Sequence, residues 1–230
     1  MSKNLLLFAF LLFFSFSYAN YAKEVKITVM PEDTKIFVDG VYVGDGISTV
    51  NIRRKESFIV LKFEKEGYVT LNTKIFFKDK RKAVSFQLRK DDFYFESTPV
   101  GNANKFFTQE IDVDYFKDAK DTKDANLLVW KMMHQVLLNY FDEIESSDML
   151  SGFIQTPWKI KPFPNSGIQV RTRVTVKQSN IGNNLTYKIK ISSETASIGA
   201  NKEESFQETM RVLKKYEALI SEFQSRLGKI

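Results

Sequence analysis

The chain has 230 residues, 43% hydrophobic and 27% charged, with 21 Phe and 9 Tyr. That is the balance of an ordinary globular protein, with room for one large or two small domains and a sizeable core. A net charge of +6 is too mild for a nucleic-acid-binding chain, although it permits contact with anionic headgroups or acidic polysaccharide. The absence of cysteine excludes disulfides, thiolate nucleophiles, Cys-ligated metals and a lipid on cysteine, and the single histidine, His134, excludes multi-histidine metal sites.

Residues 1–19 read as a signal peptide. Lys3 is a short positive region, residues 5–16 are apolar apart from Ser15, and Ser17-Tyr18-Ala19 sets small residues where a signal peptidase cuts. The expectation is export to the periplasm or cell surface with cleavage after Ala19, which leaves a mature chain of charge +5. The apolar run is short for the ~20 residues that span a bilayer, and no later stretch is long and apolar enough, so the mature chain is expected to have no transmembrane segment.

Residues 23–90 read as an all-β module. Residues 25–29 alternate and stop at Pro31, which cannot donate to a strand ladder. Residues 36–44 carry two alternating runs that meet at Asp39-Gly40, a pair suited to the positive φ angles of a two-residue type I′ hairpin turn. Further strands are expected at 47–52, 58–63, 71–77 and 84–88, with 58–63 the most apolar and central. Gly44 and Gly67 serve as turn residues, and the last two strands are expected to pair across the tip Lys78-Asp79-Lys80-Arg81-Lys82. The plain reading of Asp39 is a turn residue rather than a calcium ligand. For Lys78, Lys80, Arg81 and Lys82 it is a solvated hairpin tip, and the sharper reading is contact with an anionic membrane surface.

Pro31, the run 36–40 ending in Asp39-Gly40, the following Gly44 and the later Glu66-Gly67-Tyr68 together resemble a PEGA domain, over about 65 residues. The resemblance implies a small sandwich in a non-catalytic envelope or extracellular module, used for surface presentation or protein contact.

Residues 91–123 read as a linker holding a candidate first strand of the next domain near Ile111 and Val113. Asp112-Val113-Asp114 lacks the glycine and terminal glutamate of a calcium loop. Residues 124–230 then read as helix, three strands, helix. A helix from Asp124 to about position 144 has Trp130, Met133, Leu137, Tyr140, Phe141 and Ile144 on one face. A strand at 153–160 carries Trp158 and ends at Pro162 and Pro164, and two strictly alternating strands flank a turn at 180–184. A long amphipathic helix from Phe206 stops at Gly228. Antiparallel strands with one buried and one wet face imply both helices packed on the apolar side. This order, with Ile154-x-Thr156-x-Trp158, resembles the helix-grip modules of some outer-membrane-associated lipoproteins. The fold class is therefore two domains: an all-β small sandwich, then an α+β unit whose antiparallel sheet two helices cover on one face.

The distinctive surface on this reading is the open sheet face, where Arg171, Arg173, Lys188 and Lys190 project from neighbouring strands with Lys159 or Lys161 nearby. Like charges opposite one another on a sheet are unfavourable unless an anion intervenes. The face is either ordinary solvated surface or a docking site for an acidic partner. No G-x-S-x-G, P-loop or H-E-x-x-H stands in the chain, and Glu143, Glu145 and Asp148 have no recognisable partner. The expectation is a non-enzyme without cofactor or metal, an exported interaction module for an envelope protein or surface polymer. The alternative is a carrier or sensor of an amphipathic ligand held between helices and sheet by Trp130, Trp158 and Met133.

Overall fold

A computed structural model of the chain describes residues 22–111, 122–179 and 185–227. The predicted leader, Asp112-Val113-Asp114, the 180–184 turn and the Gly228 stop lie outside the described residues. The chain divides into two compact units, residues 1–89 and 90–230, and is mostly β-sheet.

In the first unit the strands are β1 (Ala22–Met30), β2 (Lys35–Val38), β3 (Val41–Asp45), β4 (Ile47–Arg53), β5 (Phe58–Glu64), β6 (Leu71–Phe76) and β7 (Ala83–Gln87). They form a three-stranded sheet, β4-β1-β7, and a four-stranded sheet, β3-β2-β5-β6. Both sheets contribute to one core: Val25, Ile27 and Val29 of β1 meet Ile59, Leu61 and Phe63 of β5, with Ile36, Ile52 and Ile75. Alternation produces this directly, since every second side chain of a strand faces the partner sheet. Each such side chain, fully buried, contributes about 1.5–3 kcal/mol.

The pairing of the last two strands differs from the reading above. β6 pairs antiparallel with β5, whereas β7 lies parallel to β1 in the other sheet, with Lys26 opposite Ala83 and Met30 opposite Gln87. Lys78, Lys80, Arg81 and Lys82 are therefore not a hairpin tip but part of the connection that carries the chain from one sheet to the other. A charged loop looks the same in sequence whether it reverses a hairpin or crosses between sheets.

The second unit is built on a seven-stranded sheet. Its elements are α1 (Asp92–Glu96), β8 (Ser97–Pro99), β9 (Phe107–Glu110), α2 (Thr122–Leu138), β10 (Ser146–Asp148), β11 (Phe153–Gln155), β12 (Lys159–Phe163), β13 (Ile168–Ser179), β14 (Thr186–Ser197), β15 (Gln207–Glu208), β16 (Arg211–Leu213) and α3 (Glu217–Leu227). The twelve-residue antiparallel pair β13–β14 is its spine. β11 and β12 share the free edge of β13, and β9 and β15 share that of β14. Val170, Val174, Val176, Ile189 and Ile191 face the core, which Val129, Met133, Val136 and Leu137 of α2 and Leu219, Phe223 and Leu227 of α3 complete.

Three expectations change here. Residues 91–111 are more than a linker. β9 is a strand of the sheet, and Phe93, Ala103 and Ile111 are core. The Asp91 carboxylate accepts from Tyr94 N at 2.8 Å as the helix cap, and Asp92 accepts from Asn165 N at 3.1 Å and Ser166 N at 3.0 Å. The 153–160 segment is two strands, because the Thr156 hydroxyl takes the Val174 N–H at 2.9 Å and interrupts the ladder, while Pro162 sits inside β12, an edge strand that tolerates it. The C-terminal helix spans only Glu217–Leu227. Residues 206–213 instead hold β15 and β16, with β16 paired to β8 and the adjacent Val212 and Leu213 both buried, which no helical stripe would require.

Candidate anion-binding face

The face of β13 and β14 turned away from the helices is set by their register. Arg171 stands opposite Glu194, Arg173 opposite Ser192, Thr175 opposite Lys190 and Lys177 opposite Lys188. β11 adds Phe153 beside Lys177, and β9 adds Thr108 beside Lys188.

Arg171 does not stand on an open surface. Only 5% exposed, it donates from Nε to Glu194 at 2.8 Å and from Nη1 and Nη2 to Glu203 at 2.5 and 2.6 Å. Its guanidinium lies over the Trp158 ring at 4.2 Å and the Phe206 ring at 4.0 Å. Burial works against its charge, but the Glu203 and Glu194 carboxylates outweigh burial and hold the group above its ordinary range. In turn, hydrogen bonds from Arg171 hold the Glu203 carboxyl below its usual value. Arg171 is therefore neutralised within the protein and removed from the docking set. An alternating strand shows that a cation shares a face with polar neighbours, not that two acids and two rings close over it.

The remaining cations are different. Arg173 stacks on Trp158 at 4.3 Å, with its Nε buried and lacking a hydrogen-bond partner among the described residues. Lys177 and Lys190 both lie 5.3 Å from the Phe106 ring, and Lys177 lies 5.9 Å from Phe153. Among the described residues, none of Arg173, Lys177, Lys188 and Lys190 has an ion-pair partner. Lys159 and Lys161 belong to the opposite face, where they pair with Asp142 at 2.9 Å and with Glu96. Charge is thus segregated along the spine. Glu194, Glu203 and Glu208 crowd one end, while four cations, three of them backed by aromatic rings, occupy the rest. Lys177 was legible from its alternating position; the rings were not, because they come from the residue before β9, from β11 and from the 156–158 break.

The residues nominated for a ligand cavity are not brought together. Trp130 and Met133 are buried in the core, while Trp158 lies over the arginines on the other side of the sheet. His134 is structural: its Nδ1 lies 2.8 Å from the Trp130 carbonyl oxygen and its Nε2 lies 2.8 Å from the Ser147 hydroxyl. A carbonyl can only accept, so Nδ1 carries the proton and Nε2 accepts from Ser147.

In the first unit, Asp39 and Gly40 have φ of +48° and +84° at the two-residue turn, and Asp39 does more than turn. Its carboxylate accepts from Val60 N at 2.8 Å, tying the hairpin to β5. Gly44, φ +139°, sits at a bulge opposite Ile36, and Gly67, φ +77°, lies in the turn after β5, just before Tyr68. Of the charged connection, Arg81 pairs with Asp79 at 2.6 Å, whereas Lys78 lines a cleft of about 710 Å³ with Arg54, Ser57, Phe76 and Phe77.

Among the described residues no helix is long and apolar enough to cross a membrane. No curated protein matches the chain. Residues 19–92 match the family model of the PEGA domain, and this first unit is accordingly a PEGA domain, a module typical of extracellular and periplasmic proteins.

Proposed function

We propose that this is an exported, non-catalytic interaction protein that holds an acidic partner, an envelope protein or surface polymer, against the outer face of the β13–β14 sheet. The observation that carries the reading is the group Lys177, Lys188 and Lys190, beside Arg173, which have no ion-pair partner among the described residues although Lys177 and Lys188 stand directly opposite. Such a pair is unfavourable without a counter-charge. The rings of Trp158, Phe106 and Phe153 hold the cations in place and offer flat surface beside them. An acidic chain laid along the strands would meet a cation at nearly every second residue. The PEGA match over residues 19–92 supports presentation rather than turnover.

The test reverses two partly buried cations of the face, because Arg171 is structural. Lys188→Glu with Lys190→Glu should abolish recovery of crosslinked envelope partners and retention on an acidic polymer such as polyglutamate, with the melting temperature preserved. Unchanged recovery and retention would refute the docking face.

A further inference from the structure

We propose a second site, on the PEGA domain: the outer face of its four-stranded sheet and the adjoining cleft form a docking surface for an anionic phospholipid membrane. The even-numbered residues of β5 point away from the core, and register sets Phe58 opposite Phe76 and Val60 opposite Lys74. Phe58, Val60 and Phe76 are 36%, 36% and 54% exposed, and the two rings lie 5.7 Å apart. Lys74 covers the Phe58 ring at 4.4 Å. Isolated exposed apolar residues are ordinary, but a contiguous aromatic group rimmed by cations is the composition of a membrane-interface surface.

At the end of this patch is the 710 Å³ cleft, with Arg54 and Lys78 on its walls and Phe76 and Phe77 between them. Ser57 turns the chain there with φ +60°, and its carbonyl accepts from Phe77 N at 2.7 Å, which fixes the two walls together. Segments 53–56 and 74–82 carry eight cations and two carboxylates. Both carboxylates are taken: Glu56 pairs with Arg53 and Asp79 with Arg81. Among the described residues, Arg54, Lys55, Lys74, Lys78, Lys80 and Lys82 have no ion-pair partner.

The exposed rings of Phe58 and Phe76 beside these cations select a membrane over a soluble polyanion, which offers no apolar layer for them to enter. β1 starts at Ala22, opposite Arg53, and Lys23 donates to the Asp79 carbonyl, so the first strand begins beside the cleft.

The experiment uses the chain from Asn20 onward, which contains every described element. Its co-sedimentation with phosphatidylcholine vesicles containing phosphatidylglycerol is compared with pure phosphatidylcholine at moderate salt. Binding is expected to the anionic vesicles only. It should fall at least about tenfold in Arg54→Glu/Lys78→Glu, since each surface cation near an anionic leaflet carries a substantial share of the affinity. It should also weaken several-fold in Phe76→Ser, and persist in Arg54→Lys/Lys78→Arg and in the charge-matched control Lys35→Glu/Lys131→Glu. All these positions are on the surface, and circular dichroism checks the fold. Equal binding to neutral vesicles, no effect of Arg54→Glu/Lys78→Glu or of Phe76→Ser, an equal loss in the control, or displacement by millimolar glycerophosphate would each overturn the proposal.

Discussion

Replacing Arg171 by alanine should cost the second unit about 3 kcal/mol, as expected when one partner of a buried ion pair is removed. The side chain is 7% exposed and Glu194 is 18% exposed, so the variant strands the Glu194 charge in a nearly closed site. Two ring contacts, at 4.2 and 4.0 Å, are lost with it. Glu203, 73% exposed, regains water and adds little to the penalty. Thermal and urea unfolding followed by tryptophan fluorescence should show a drop of roughly 6–12 °C for a unit of this size. Adding Glu194→Gln removes the stranded charge and should restore about half of the loss. The acid limb supplies an independent check. The folded Glu203 carboxyl lies below its ordinary 4.5, so its contribution is complete above that value and disappears as pH falls through the folded one. The gap between wild type and Arg171→Ala should therefore narrow in acid. A loss under 1 kcal/mol, or a double variant no more stable than the single one, would refute the account of a closed, charge-compensated arginine.

Other positions give sharper contrasts. Gly46, φ +64°, has the Glu32 carbonyl where a Cβ would go, so Gly46→Ala should prevent the PEGA domain from folding; Gly40→Ala, at φ +84° in open space, should cost only about 1–2 kcal/mol in a denaturant titration. Tyr216 is 1% exposed, and burial pushes its phenol up to about 12 while the hydroxyl has no hydrogen-bond partner among the described residues. Tyr216→Phe keeps the stacking on Phe141 and should raise stability by about 1 kcal/mol, measured by thermal melting. For Asp92, burial raises the carboxyl but hydrogen bonds from Ser166, Asn165 and Phe93 outweigh it, and the net shift is downward. Its contribution is present above the ordinary aspartate value and lost as pH falls through the folded one. Asp92→Asn should cost about 2 kcal/mol at neutral pH and flatten that acid limb.

Period and turn chemistry made the strands legible, and for a physical reason. Ile36, Asp39-Gly40 and Gly44 impose their hairpin locally, and alternation in β13 and β14 leaves one buried face whatever surrounds it. Partner choice was not legible. Nothing in residues 78–82 distinguishes a hairpin from a crossover, so β7 could be assigned to β1 only by the packed core. The helical spacing of Phe206, Met210 and Leu213 was accidental: Phe206 covers Arg171, Met210 is half exposed, and Leu213 closes the core from a strand. The buried state of Arg171 depends on Glu194 across the hairpin and on Glu203 beyond it, and a period-two pattern encodes neither.

The parallel pairing of β1 with β7 has a mechanical consequence. The chain enters the PEGA domain at one end of this pair and leaves at the other, with five residues in register between them. Tension applied through the two attachment points would slide these strands along their length, loading all their interstrand bonds at once instead of peeling them singly. A module wired this way suits a tether under strain, where rupture must be concerted to occur at all.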